Sequence, residues 1–205
     1  MVEPVKRAQA GVRNFAFVWA ICVAMAFLIN LIFGDRPLLA IALDGQPFVD
    51  QVAWGVAIAL AASVPVIVGI RVIPFLAPLR NQFAELGTRI DFSGLNPLWM
   101  AMFAGFGEEV LFRGAIQPII GLWWSSLIFV LLHSGTYQFR SMNWTKAGFA
   151  VMIFVVSLLL GYTFVNFGLP AAIVAHTTFD VVALFALQRL LRQYAQRTQP
   201  HICLP

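Results

Sequence analysis

Residues 98–117 read LWMAMFAGFGEEVLFRGAIQ. A membrane-crossing helix needs about 20 predominantly apolar residues, and this stretch has that length. Its centre nevertheless holds Glu108, Glu109 and Arg113. A charge at mid-bilayer costs about 2.5–3.5 kcal/mol on insertion scales, so three in one run require pairing, a polar cavity or chemistry. Glu109 and Arg113 are four residues apart with the acid first, the favoured order for an ion pair on one helix face. Glu108 sits about 100° around the helix and lacks a partner at i+4, which leaves it available as a general base. Gly105 and Gly107, just before it, allow close backbone approach.

The rest of the chain supports a membrane setting. Of 205 residues, 60% are hydrophobic and 11% charged, against roughly 45–50% and about 25% in soluble domains. A water-soluble globule, a disordered chain and a disulfide scaffold are all excluded. Six runs predict an all-α, polytopic transmembrane helix bundle: 15–33, 52–70, 98–117, 119–133, 147–166 and 170–188. The fourth is short. Pro97 and Pro170 are read as opening the third and sixth helices, and Pro118 with Gly121 as separating the third from the fourth. The stretch 71–97, with Pro74, Pro78, Gly87 and Gly94, is expected to lie partly along the interface. The run after Lys6, Arg7 and Arg13 is long for a signal peptide and is read as an uncleaved signal anchor. No repeat or linker divides the chain, so 1–205 is read as one transmembrane domain.

The net charge of +4 comes from basic residues scattered between apolar runs, which suits orientation in a bilayer and not nucleic acid. With the N-terminus inside, Lys6, Arg7, Arg13, Arg71, Arg80, Arg89, Arg140, Lys146, Arg189, Arg192 and Arg197 fall on inner segments and only Arg36 on an outer one. That asymmetry predicts six spans with both termini cytoplasmic. Cys22 and Cys203 show no metal or disulfide spacing, and Cys203, third from the end, gives no prenylation signal. Trp99, Trp123, Trp124 and Trp144 read as interfacial anchors.

Three more polar residues sit in apolar runs: His133, His176 and Asp180. At about 1.5 Å per residue in a core about 30 Å thick, Glu108 lies roughly 15 Å from the inner face. His133 falls at roughly 9 Å, Asp180 at 13–15 Å and His176 at 19–21 Å on the same estimate. Residues of three helices thus share one slab, biased to the cytoplasmic half. His176 and Asp180 are i,i+4 on one face, and Phe129 precedes His133 by one turn. Each has a plainer reading: Glu109–Arg113 as a pair that makes the helix insertable, His133 as a residue reaching interfacial water, His176 and Asp180 as interhelical hydrogen-bond glue. The set is more specific than any member, and a second carboxylate, Glu108, is not needed for insertion.

These residues carry a resemblance. Glu108-Glu109-Val110-Leu111-Phe112-Arg113 resembles the EExxxR motif of the CAAX-protease and bacteriocin-processing family (also called the Abi family) of intramembrane glutamic proteases. Phe129-Val130-Leu131-Leu132-His133 resembles its FxxxH motif, and His176-Thr177-Thr178-Phe179-Asp180 its third motif, HxxxN or a variant. The motifs occur in the family's order over about 95–190, which marks that stretch as the catalytic core. The resemblance implies a metal-independent endopeptidase without a cofactor. In it Glu108 and His133 activate water, Glu109 and Arg113 shape and polarise the site, and His176 with Asp180 stabilises the oxyanion. Asp180 departs from the usual asparagine. An ionised aspartate only accepts hydrogen bonds, so Asp180 is expected to orient His176 instead.

The expected partners are therefore the bilayer and a protein or peptide substrate, lipidated proteins and leader peptides included. The expected location is a bacterial inner (plasma) membrane, multi-pass. Two alternatives stay open at this point. A non-catalytic immunity or scaffold protein would function with Glu108→Gln. An intramembrane zinc enzyme could use two histidines and three carboxylates, although HExxH is absent and Arg113 would repel a cation.

Overall fold

The computed structural model describes residues 10–78, 80, 81, 87, 89–134 and 144–198, with side chains undescribed at 75, 134 and 194–198. Lys6, Arg7, Arg140 and Cys203 lie outside the described residues, as does the side chain of Arg197. The helices are α1 (Val12–Phe33), α2 (Leu38–Ala42), α3 (Phe48–Val72), α4 (Asn96–Glu109), α5 (Gln117–Ser134), α6 (Trp144–Phe167) and α7 (Leu169–Thr198). A short 3₁₀ turn, Pro74–Leu76, follows α3, and a π-helical segment, Val110–Ile116, joins α4 to α5. The all-α reading holds.

Among the described residues, five segments are long and apolar enough to cross a membrane: Val12–Phe33, Phe48–Val72, Asn96–His133, Trp144–Phe167 and Leu169–Gln193. Their outward faces carry apolar residues such as Phe17, Leu31, Val49 and Val155, each more than half exposed, as a lipid-facing surface requires. Trp99, Trp123, Trp124 and Trp144, expected as interfacial anchors, are also exposed. The runs expected over 98–117 and 119–133 belong to one 38-residue segment, and that segment is folded back on itself. A straight helix would hold residues 108 and 133 about 37 Å apart, whereas Glu108 Oε2 and His133 Nε2 are 3.7 Å apart.

Gly121 makes the reversal. Its φ of 82° and ψ of 169° are non-helical and lie in a region open essentially to glycine. The helix does not stop at Pro118, the other residue expected to break it: the π segment runs directly into α5 at Gln117, with no break before Pro118.

The bundle is organised around α7, which packs against α3, α4 and α6, while α1 covers α4 and the π segment and α5 lies on α6. The α7 contacts are close because its inner face is small: Ala171, Ala172 and Ala175 are essentially fully buried, the small-residue interface usual between membrane helices. Gly105 on α4 meets α7 without a side chain; a Cβ there would collide with Thr177 Oγ1 and stand 2.8 Å from its backbone nitrogen. Gln51 of α3 ties down the start of α7: its Oε1 accepts from the Ala171 N–H at 3.3 Å, and its Nε2 donates to the Gln46 carbonyl at 2.7 Å. Gln188 of α7 donates to the Phe92 carbonyl just before α4. On the loop after α1, Arg36 pairs with Asp44 at 2.8 Å and holds that carboxyl below its ordinary range. The apolar core sits beside the π segment: Cys22, Ala26, Leu38, Val110, Leu111, Phe112, Ala115, Phe129 and Leu169.

Gly121→Ala isolates the backbone requirement, since nothing lies within 4 Å of the added Cβ. It is expected to cost about 1–3 kcal/mol, read as a lower unfolding midpoint in detergent micelles; an unchanged midpoint would mean the reversal does not need glycine.

Candidate active site

Glu108 and Glu109 end α4, Arg113 lies in the π segment, Phe129 and His133 lie on α5, and His176 and Asp180 lie on α7. The fold brings all six expected site residues together. Glu108 Oε2 is 3.7 Å from His133 Nε2 and 4.0 Å from His176 Nε2. His176 Nε2 is 3.6 Å from Asp180 Oδ2. Separations of this size are too long for direct hydrogen bonds; a water bonded to two of these groups would sit to one side of the line joining them.

The two imidazoles are held by their other nitrogens. His133 Nδ1 lies 2.8 Å from the Phe129 carbonyl oxygen. A carbonyl only accepts, so Nδ1 carries a proton, and Nε2 is the ring nitrogen that faces Glu108. His176 Nδ1 lies 2.8 Å from Glu109 Oε1, and by the same argument donates to that carboxylate. Glu109 is therefore the close acidic partner of His176. Asp180, expected from the sequence to orient His176, stands 3.6 Å off and on the other ring nitrogen. An i,i+4 spacing is legible along a chain; a contact between residues 109 and 176 is not.

Glu109 and Arg113 are fully buried, with Arg113 Nε 3.1 Å from Glu109 Oε2. The expected i,i+4 pair is present. Its hydrogen-bond alignment is poor, and neither Nε nor Oε2 has a hydrogen-bond partner among the described residues. The other end of the guanidinium is better served. Nη2 donates to Ser157 O at 2.9 Å and Ser157 Oγ at 3.0 Å, and Nη1 to Ser125 Oγ at 3.4 Å. Sequence reading missed both serines. Their only signal was polarity inside an apolar run, which is weak because a helical serine often bonds its own preceding turn.

Phe129 joins the parts. Its ring stacks on His133 at 4.3 Å, meets His176 edge-on at 6.2 Å and Phe112 at 4.8 Å, and stands 5.7 Å from the Arg113 guanidinium carbon. Exposure is graded across the site: the Glu109 and Arg113 side chains are at 0%, His176 at 8%, Glu108 at 17%, Asp180 at 28% and His133 at 36%. The site thus has a dry base and an open rim. Among the described residues, no group of three or more His, Cys, Asp or Glu side chains is arranged to hold a metal ion. A separate cavity of about 570 Å³ opens at the far end of α5, beside Gln117 and Gly121, and none of the six residues lines it.

All six lie within residues 92–182, which match the family described as Type II CAAX prenyl endopeptidase Rce1-like. The chain carries an Rce1-like domain of that family. The Rce1-like domain takes in α4, the π segment, α5, α6 and about half of α7; α1 and α3 lie outside it. A curated relative, Uncharacterized protein YpbD of Bacillus subtilis (strain 168), is 38% identical over 92 residues, 44% of this chain and 44% of the relative. The match thus spans less than half the length of that relative. No solved structure matches.

A buried ion pair that loses one partner leaves an uncompensated charge, at about 3–5 kcal/mol. Arg113→Met is expected to destabilise the protein by that amount, and Glu109→Gln combined with Arg113→Met to recover part of it, read by unfolding in micelles. Simple addition of the two single effects would contradict the pairing.

Proposed function

We propose that the protein is an intramembrane endopeptidase that hydrolyses a peptide bond with a water activated by Glu108 and His133. One observation carries this reading: Glu108 Oε2 faces the Nε2 atoms of two imidazoles from two other helices, at 3.7 and 4.0 Å. Glu108 as carboxylate and His133 Nε2 as lone pair are both acceptors. A water bound to both donates one hydrogen bond to each, and its oxygen lone pair is left to attack a carbonyl.

The reaction then runs as follows. Glu108 takes the water proton as the oxygen adds to the scissile carbonyl, and later delivers it to the leaving amine. The tetrahedral oxyanion needs donors aimed at it. As an imidazolium, His176 presents Nε2–H to that oxygen, with Glu109 holding Nδ1–H and the surrounding carboxylates supplying countercharge. Arg113 neutralises Glu109 at the dry base. Asp180 stands 3.6 Å from the same Nε2 and is one of the carboxylates that supply this countercharge. Membership in a family of CAAX prenyl endopeptidases supports a protein or peptide substrate. For this chain we favour a membrane-associated protein segment or a leader peptide, entering from the cytoplasmic side of a bacterial inner membrane with both termini cytoplasmic. The basic-residue asymmetry supports that orientation, and the Bacillus relative supports the bacterial setting.

Glu108→Ala and His133→Ala should each lower cleavage by about 10²–10⁴-fold, the usual contribution of general acid–base groups, while insertion and folding persist. Comparing the proteomes of cells carrying wild type and Glu108→Ala should reveal uncut precursors; identical processing in both would remove the protease reading. Asp180→Asn should keep activity within about tenfold, because Glu109 does the orienting; a loss well beyond that would return the orienting role to Asp180.

A further inference from the structure

We infer that Ser157, on α6 and outside all three motifs, is a positioning residue for the reaction centre, acting through Arg113 and Glu109 on His176. The inference rests on the proteolytic reading for its consequence, but the linkage itself is visible in the hydrogen bonds. A guanidinium has five N–H donors and no acceptor, and that of Arg113 is wholly buried. Its Nε faces Glu109 Oε2 at 3.1 Å without hydrogen-bond alignment, so the intrahelical pair does not by itself fix the plane of the group. The plane is fixed from α6. Ser157 offers two acceptors, its carbonyl at 2.9 Å and its hydroxyl at 3.0 Å, both to Nη2. Ser125 offers one, at 3.4 Å, and spends its own proton on the Phe112 carbonyl at 3.3 Å. Ser157 is therefore the stronger holder of the two.

From Arg113 the chain of contacts continues to Glu109, whose other oxygen, Oε1, receives the His176 Nδ1–H at 2.8 Å. Four elements are thereby connected: α6 through Ser157, the π segment through Arg113, α4 through Glu109 and α7 through His176. Without the Ser157 hydroxyl the guanidinium keeps the carbonyl and a longer bond to Ser125, and it can turn about them. Glu109 follows its countercharge, and the imidazole that must point Nε2 at the oxyanion loses its fixed orientation. Such a change lowers turnover more than substrate binding, because it acts where charge develops in the transition state.

The test uses the full chain in micelles, labelled with ¹⁵N-histidine and carrying no histidine tag. The protein has three histidines, so a His176→Gln variant assigns the His176 signals. In Ser157→Ala the hydrogen-bonded Nδ1–H resonance of His176 should shift or broaden while circular dichroism is unchanged, and in Ser125→Ala it should move less. Ser157→Thr, which keeps the hydroxyl, should restore it. Against the precursor found by proteomics, Ser157→Ala should lower kcat by about tenfold with KM within about twofold. An unmoved resonance in folded Ser157→Ala, or an equal displacement in Ser125→Ala, overturns the inference. Should Ser157→Ala not fold, Ser157→Cys, similar in size but a weak acceptor, is read against the same two outcomes. A wild type that cleaves nothing defeats the proteolytic reading, and the nitrogen spectrum then decides the linkage independently.

Discussion

The structure depends on one costly arrangement: an ionised arginine and an ionised glutamate held side by side with no access to water. Each would cost several kcal/mol alone in an apolar interior. Arg113 and Glu109 offset that cost by facing each other across one helical turn and by drawing acceptors and donors from neighbouring helices. Ser157, Ser125 and His176 come from three different rods, so the pair can be satisfied only when those rods are docked. The charges therefore tie α4 to α5, α6 and α7, where apolar side chains alone would pack as well against lipid as against each other.

The same arrangement sets up the site. With Glu109 engaged on one side by Arg113 and on the other by His176, the neighbouring Glu108 points to a more exposed rim, where His133 meets it. Adjacent glutamates thus serve different ends: one sits at the dry base and holds partners, the other faces the opening. The π segment begins one residue after Glu109. A π turn is a common local feature at functional sites, and here Gln117 N–H reaches back five residues to the Phe112 carbonyl, which also receives the Ser125 hydroxyl.

Much of this could be read along the chain. The apolar runs located the helices, the spacing of Glu109 and Arg113 foretold their pairing, and simple depth estimates placed His133, His176 and Asp180 at the level of Glu108. Gly121 was legible as a break, although its role as the point of reversal, with helix continuing through Pro118, required coordinates. The contacts of residue 109 with 176, and of 113 with 157, were not legible. Both join residues far apart in sequence, and their closeness follows from how α6 and α7 dock, which no local periodicity encodes. The π geometry was also hidden, since the same residues satisfy an ordinary helical pattern.

In the proposed reaction a water held by Glu108 and His133 attacks the peptide directly. A single turnover of the identified precursor in H₂¹⁸O, followed by mass spectrometry of both product and enzyme, tests it most directly. Direct attack places one ¹⁸O in the new carboxylate of the product and none in the enzyme peptide containing Glu108. Label in the Glu108 carboxylate would show a covalent acyl intermediate, and would contradict the role of Glu108 as a base.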